Sequence, residues 1–245
     1  MAVETQEQES AAQEKAPERG ITARAVIIGF ITIIPGVLWG VYGDVVSQTD
    51  LTSTSLMMPP ILILITLLVI NALLKRKKPS WVLSPAELIT IYVMLTVSVI
   101  LSGMGMLQFL CTTLGAVPHY KTPENEWDSY LRLVPRHILP KLSAIDGFYK
   151  GNEPIPWAAW TTPILLWSGF LFTMLFCMIC INAILRKQWV ERERLAFPIV
   201  QLPLEMTDPK AGFFRNNYMW AGFTVAAVVE TINSLNFLFP NVPHL

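Results

Sequence analysis

Trp189 to Met206 reads WVERERLAFPIVQLPLEM and lies between two long apolar runs. Four consecutive charges, Glu191 to Arg194, open it. Apolar residues follow, interrupted by Pro198 and Pro203, and Glu205 comes near the close. A linker in water would stay polar. A straight membrane helix does not carry two prolines so close together, because each removes a backbone donor and crowds the preceding turn. Two readings fit. The segment enters the bilayer as interrupted backbone, its polar groups satisfied by protein or by a water-filled cavity, as along the substrate paths of transporters. Alternatively it skims the membrane surface as an amphipathic link between two ordinary helices.

The composition around it points to lipid. Just over half of the 245 residues are hydrophobic, charge is sparse, and the formal net charge is zero, which gives no reason to expect nucleic acid as a partner. The apolar residues come in blocks of about 20, the length that crosses a hydrocarbon core of about 30 Å. The fold class that follows is all-α, a polytopic transmembrane helix bundle with about five spans in this chain. Cys111, Cys177 and Cys180 all lie within apolar blocks and form no disulfide framework. Cys177 and Cys180 have C-x-x-C spacing, but hydrocarbon denies them the thiolate a redox pair needs.

In chain order, residues 1–20 form a Gln-, Glu- and Ala-rich tail with no apolar period, read as disordered. Residues 21–118 hold three spans. The first runs from about Ala25 to Tyr42, with Pro35 in its middle. Its Gly36 and Gly40 are four apart, a spacing that lets two helices approach closely. The second runs from about Ser55 to Leu74 and ends at Lys75-Arg76-Lys77-Lys78. The third starts at Ser84-Pro85-Ala86-Glu87, where the serine caps the helix and the glutamate reaches back to it. Its uncharged run continues to about Val117, so the helix either tilts or breaks near Ser102-Gly103-Met104-Gly105 and continues as irregular backbone. Gln108, just beyond, faces a cavity or bonds a neighbouring helix.

Residues 119–156 are a hydrophilic link. Trp127, Tyr130, Leu131, Val134, Ile138 and Leu142 recur at helical spacing, and Pro135 and Pro140 cut the pattern short. Surface helices follow from this, with Trp127, Trp157 and Trp160 anchoring them at the headgroup layer. His119 and His137 lack Cys or carboxylate partners at metal-ligand spacing, so no metal is expected. Residues 157–188 hold span four, about Thr161 to Leu185, ending on Arg186 and Lys187. Residues 189–216 are the proline-containing segment, and 217–245 hold span five, about Tyr218 to Phe239. That span carries Glu230, with Asn233 on the same face. A carboxylate at such depth is costly and belongs toward a bundle interior, as a functional group or as a structural partner to another helix.

The basic residues set a topology. With Lys75, Arg76, Lys77 and Lys78 inside, Arg186 and Lys187 also fall inside, while the link Gly43 to Thr54, which has no Lys or Arg, falls outside. The expected location is the inner (plasma) membrane, multi-pass, with a cytoplasmic amino terminus.

The segment ERERLAFPIVQLPLEM, with NFLFPNVPHL at 236–245, resembles an uncharacterised family of large bacterial membrane proteins. That family is distantly similar to the oligopeptide transporter superfamily, in which a charged turn and a Leu-aromatic-Pro step lead into a membrane segment. The matching residues are Arg194, Leu195, Phe197 and Pro198, with Pro203 further along the same segment. The glycine-rich continuation of the transporter motif is replaced by Ile199, Val200 and Gln201. The resemblance covers the ordered chain as an amino-terminal portion and implies further helices, from a longer chain or from a homo-oligomer. It also implies secondary transport of a small solute with a coupling ion. Glu205, Gln201, Glu230, Asn233 and Gln108 are the polar residues available for such a path. A non-catalytic membrane scaffold or accessory subunit is the alternative. No H-E-x-x-H, G-x-S-x-G or phosphate-binding glycine loop is present, so neither an enzyme nor a bound cofactor is expected.

Overall fold

The computed structural model describes residues 21–53, 56–104, 106–151, 153–193, 195, 197–239 and 241–243. The expectation for the tail at 1–20 and the match at Arg194 lie outside these residues. Every regular element among them is helical. The helices are α1 (Ala23–Val45), α2 (Met58–Lys77), α3 (Pro85–Ser102), α4 (Leu107–His119), α5 (Trp127–Leu131), α6 (Ile145–Lys150), α7 (Trp157–Lys187), α8 (Pro198–Thr207) and α9 (Asn217–Leu238). Five stretches are long and apolar enough to cross a membrane: α1, α2, the α3–α4 run, α7 with its extension, and α9.

The chain divides into two units. One takes in Met1–Trp39, Thr54–Val99 and Phe197–Leu245, and the other Gly40–Ser53 and Ile100–Ala196. In the first unit, α3 turns Leu88, Ile91 and Leu95 inward at helical spacing, against Ala25 of α1, Leu64 of α2 and Met206 of α8. A small residue lets α1 come close here. A Cβ added at Gly36 would lie 3.0 Å from a Leu95 methyl and 3.1 Å from an Ile63 methyl. That is the close approach the Gly36 spacing predicts. Asn71, near the end of α2, donates to Leu83 O and accepts from Leu83 N, both at 2.9 Å. This two-way bond closes the loop that follows the basic last turn of α2, Lys75 to Lys77, and its C-cap Lys78.

In the second unit the long third span breaks. α3 ends at Ser102, and α4 restarts at Leu107 as regular helix rather than irregular backbone. Gly103 follows the end of α3, and the Thr52 side chain packs so close to it that a Cβ there would overlap it. The hydrophilic link forms only short helical pieces, as its prolines dictate. Trp167 Nε1 donates to Ile138 O at 3.0 Å and ties the link to α7. Trp160, expected to anchor at the headgroup layer, packs within the protein. It is buried with Ala144 and Ala159, and its ring lies 5.2 Å from that of Phe148. The link folds back over its face, whereas Trp157 stays exposed.

α7 has 31 residues, about 46 Å at 1.5 Å per residue, so it overshoots the hydrocarbon at one or both ends. It continues into a π turn, Gln188–Arg192. The charged opening of the proline-containing segment is therefore the end of a helix rather than a separate link. α8 is ten residues long, about 15 Å, and cannot cross a bilayer alone. Pro198 starts it, where the missing donor costs nothing. Pro203 sits inside it, buried with Met206 and Thr207. The most apolar stretches of α7 and α9 bury no residue at all within this chain.

Candidate functional site

Among the described residues two carboxylates are buried, and each organises a polar cluster. In the first unit Glu87, 1% exposed, stands at the start of α3. It fulfils its capping role. Ser84 N donates to its Oε2 at 2.8 Å, and Glu87 N donates to Ser84 Oγ at 3.3 Å. It also accepts from Thr22 Oγ1 at 2.6 Å, from Arg24 Nη2 at 2.6 Å and from Arg24 Nε at 3.2 Å. Arg24 Nη2 donates further to Val82 O at 3.2 Å. One carboxylate thus caps α3 and ties it to the start of α1. Arg24 is 63 residues away in sequence, so helix-local reasoning finds only the cap.

In the second unit the buried carboxylate is Asp44, 7% exposed, near the end of α1. Its partners are Leu51 N at 2.9 Å, Thr52 Oγ1, and Gln108 Nε2 at 3.4 Å. None is a cation. Thr52 Oγ1 in turn accepts from Met104 N at 3.2 Å, within the break between α3 and α4. Gln108 sits one residue into α4 and reaches back to α1 across the same break. Both readings of Gln108 therefore have something to act on: it bonds a neighbouring helix, and the residue it bonds lines a cavity. That cavity measures about 520 Å³ and is bordered by Asp44, Asp50 and Met104, and no Lys, Arg or His lines it among the described residues. Hydrogen bonds from Ser53, its hydroxyl first and its backbone amide second, hold the Asp50 carboxyl below the usual carboxylate range. Asp44 was legible as a lone charge at the end of a span, followed by a link with no basic residue, but nothing local pairs it with Gln108.

Among the other residues singled out by sequence, Glu205 lines a second cavity of about 630 Å³ in the first unit. Lys75, Asp208 and Arg215 also border it, over an apolar floor that includes Leu88 and Phe213. Gln201 lies one turn before Glu205 and is exposed. Leu195, Phe197 and Pro198 are exposed as well, whereas Pro203 is buried. Glu230 is exposed on α9, a helix with no buried residue. Asn233 follows it, half-buried. His119 proves to have a carboxylate partner that the spacing hid. Its Nδ1 lies 3.2 Å from Asp146, and its ring stacks on Tyr149 at 4.2 Å. Burial first, and the neighbouring Tyr120 second, push the Tyr149 phenol up.

Membrane-length helices, one broken span and buried carboxylates at helix ends define an all-helical bundle of polytopic membrane type. Residues 15–245 match the Family of unknown function (DUF6785), and the chain belongs to that family. Neither a curated protein nor a solved structure matches it.

Proposed function

We propose that the chain forms part of a secondary transporter for a small solute, with the α3–α4 break beside the solute or coupling-ion path. The observation that carries this reading is Asp44. It is a buried carboxylate without a cationic partner among the described residues, bonded to Gln108 across an interrupted span and bordering a cavity. Discontinuous helices and buried acids together are the physical signature of such paths. Glu205, Gln201, Glu230 and Asn233 are further polar positions in the chain to test by substitution. The distant similarity to oligopeptide transporters, carried by Leu195, Phe197 and Pro198, supports the same reading and makes small peptides the first solutes to try. The placement is a cell membrane with the amino terminus and the basic end of α2, Lys75 to Lys78, on the cytoplasmic face. Glu205 and Met206 of α8 share a cavity with Lys75 at the basic end of α2, which supports an α8 near that face.

The test is ion-driven uptake of a panel of labelled peptides by proteoliposomes containing the longest natural form of the protein. Asp44→Asn and Glu230→Gln are each expected to lower uptake about tenfold or more while the thermal midpoint in detergent holds. Wild-type uptake that survives both changes would sink the proposal. A scaffold is the competing reading, favoured by the complete set of internal partners around Glu87. It predicts a lowered midpoint and no solute-dependent signal in any variant.

A further inference from the structure

The hydrophilic link between α4 and α7 carries charges of both signs, yet its fold sorts them. α5, the turn at Arg136–Ile138 and the turn at Leu142–Ala144 border one cavity of about 670 Å³. Lys121, Arg132, Arg136 and Lys141 all line it, and Asp128 is the one acid that does among the described residues. Glu124 and Glu126 are close in sequence but do not border it. The bends at Pro135 and Pro140 bring this about by folding a short run of chain back on itself. Lys121 pairs with Asp128 at 2.8 Å, with both side chains exposed, so that pair is weak. The side chains of Arg132, Arg136 and Lys141 make no hydrogen bond or ion pair among the described residues. Four positive charges therefore share one hollow with a single acid, which is paired with Lys121. Its volume is that of a small-molecule site.

The lining also has an apolar part, including Val134, Leu139 and Leu142. Two guanidinium groups offer paired, planar donors that match a phosphate oxyanion better than ammonium groups do. The link is anchored at both ends in membrane-length stretches, the α3–α4 run and α7. We infer that this cavity binds an organic phosphate, its oxyanion held by Arg132, Arg136 and Lys141 and its apolar part against Val134, Leu139 and Leu142. The source is either an anionic phospholipid headgroup or a soluble phosphate ester. The inference is independent of the transport reading.

The test is calorimetric titration of the full chain in neutral detergent with inorganic phosphate, dihexanoyl phosphatidylglycerol and dihexanoyl phosphatidylcholine. Saturable binding of phosphate or phosphatidylglycerol is expected, and it should weaken as salt rises. Arg132→Gln/Arg136→Gln should lower the affinity about tenfold or more. Arg186→Gln/Lys187→Gln, an equal charge change at the far end of α7, should alter it less than about threefold. Lys141→Gln, at an exposed non-helical position, gives a second reading should the arginine pair disturb folding. Phosphatidylglycerol binding without phosphate binding assigns the site to lipid, and phosphate binding at equal or greater strength assigns it to a soluble ester. No saturable binding of either, binding of phosphatidylcholine as tight as phosphatidylglycerol, or equal weakening by the two double variants overturns the inference.

Discussion

Glu87 is the residue on which the first unit hangs, because one side chain meets two separate needs. A helix start leaves backbone donors unpaired, and a cation at the start of α1 needs a counter-charge. Removing one partner of a buried pair leaves the other charge uncompensated. Arg24→Gln and Glu87→Gln are therefore each expected to destabilise the protein by roughly 2–3 kcal/mol. This lies below the full buried-pair range because Arg24 keeps part of its side chain in solvent. The double variant should cost less than the sum of the two. Thermal unfolding in detergent measures this, and strict additivity would show that the two side chains do not act as a unit. Thr96 makes the opposite case. Its buried hydroxyl has no partner among the described residues, so Thr96→Val in the same assay should be neutral or slightly stabilising.

At the scale of elements, the sequence showed where helices run but not what joins them. The uncharged blocks predict all five membrane-length stretches. The glycines at 103 and 105 mark the break in the third, because the run there is longer than a bilayer needs. What stayed hidden are bonds between residues far apart in the chain: Thr52 to the break, Asn71 to Leu83, and Arg24 to Glu87. Periodicity reports a face, not the partner on it. The seam between α1 and α3 gives a prediction at this scale. Gly36→Leu should cost about 1–3 kcal/mol by overpacking against Leu95 and Ile63. Gly169→Ala, where nothing lies within 4 Å, should be neutral or gain up to about 1 kcal/mol in helix propensity. Equal effects at the two positions in thermal unfolding would show that α1 and α3 do not pack at Gly36.

At the scale of the molecule, basic residues at helix ends predict which ends share a side of the membrane. In a background lacking Cys111, Cys177 and Cys180, single cysteines beside Lys78 and Arg192 should react with an impermeant maleimide only after cells are opened. Cysteines at Thr49 and Asn125 should react on intact cells. Labelling of Lys78 and Arg192 neighbours from opposite faces would overturn the helix count. Several helix boundaries differ from the sequence estimates for one shared reason. Hydropathy marks where lipid contact ends, whereas hydrogen bonding carries a helix on into water, as in the overshoot of α7 past both limits of its apolar run.

The loop that Asn71 closes has a bearing on how the chain meets its surroundings. Lys75 to Lys78 is the densest run of positive charge in the sequence, at the tip of α2, and the loop beyond it is fixed by a pair of hydrogen bonds. A tethered loop has less conformational freedom to surrender when a negatively charged surface comes against it. The ammonium and guanidinium groups along that tip are thus gathered before contact, and more of their attraction is kept when contact is made.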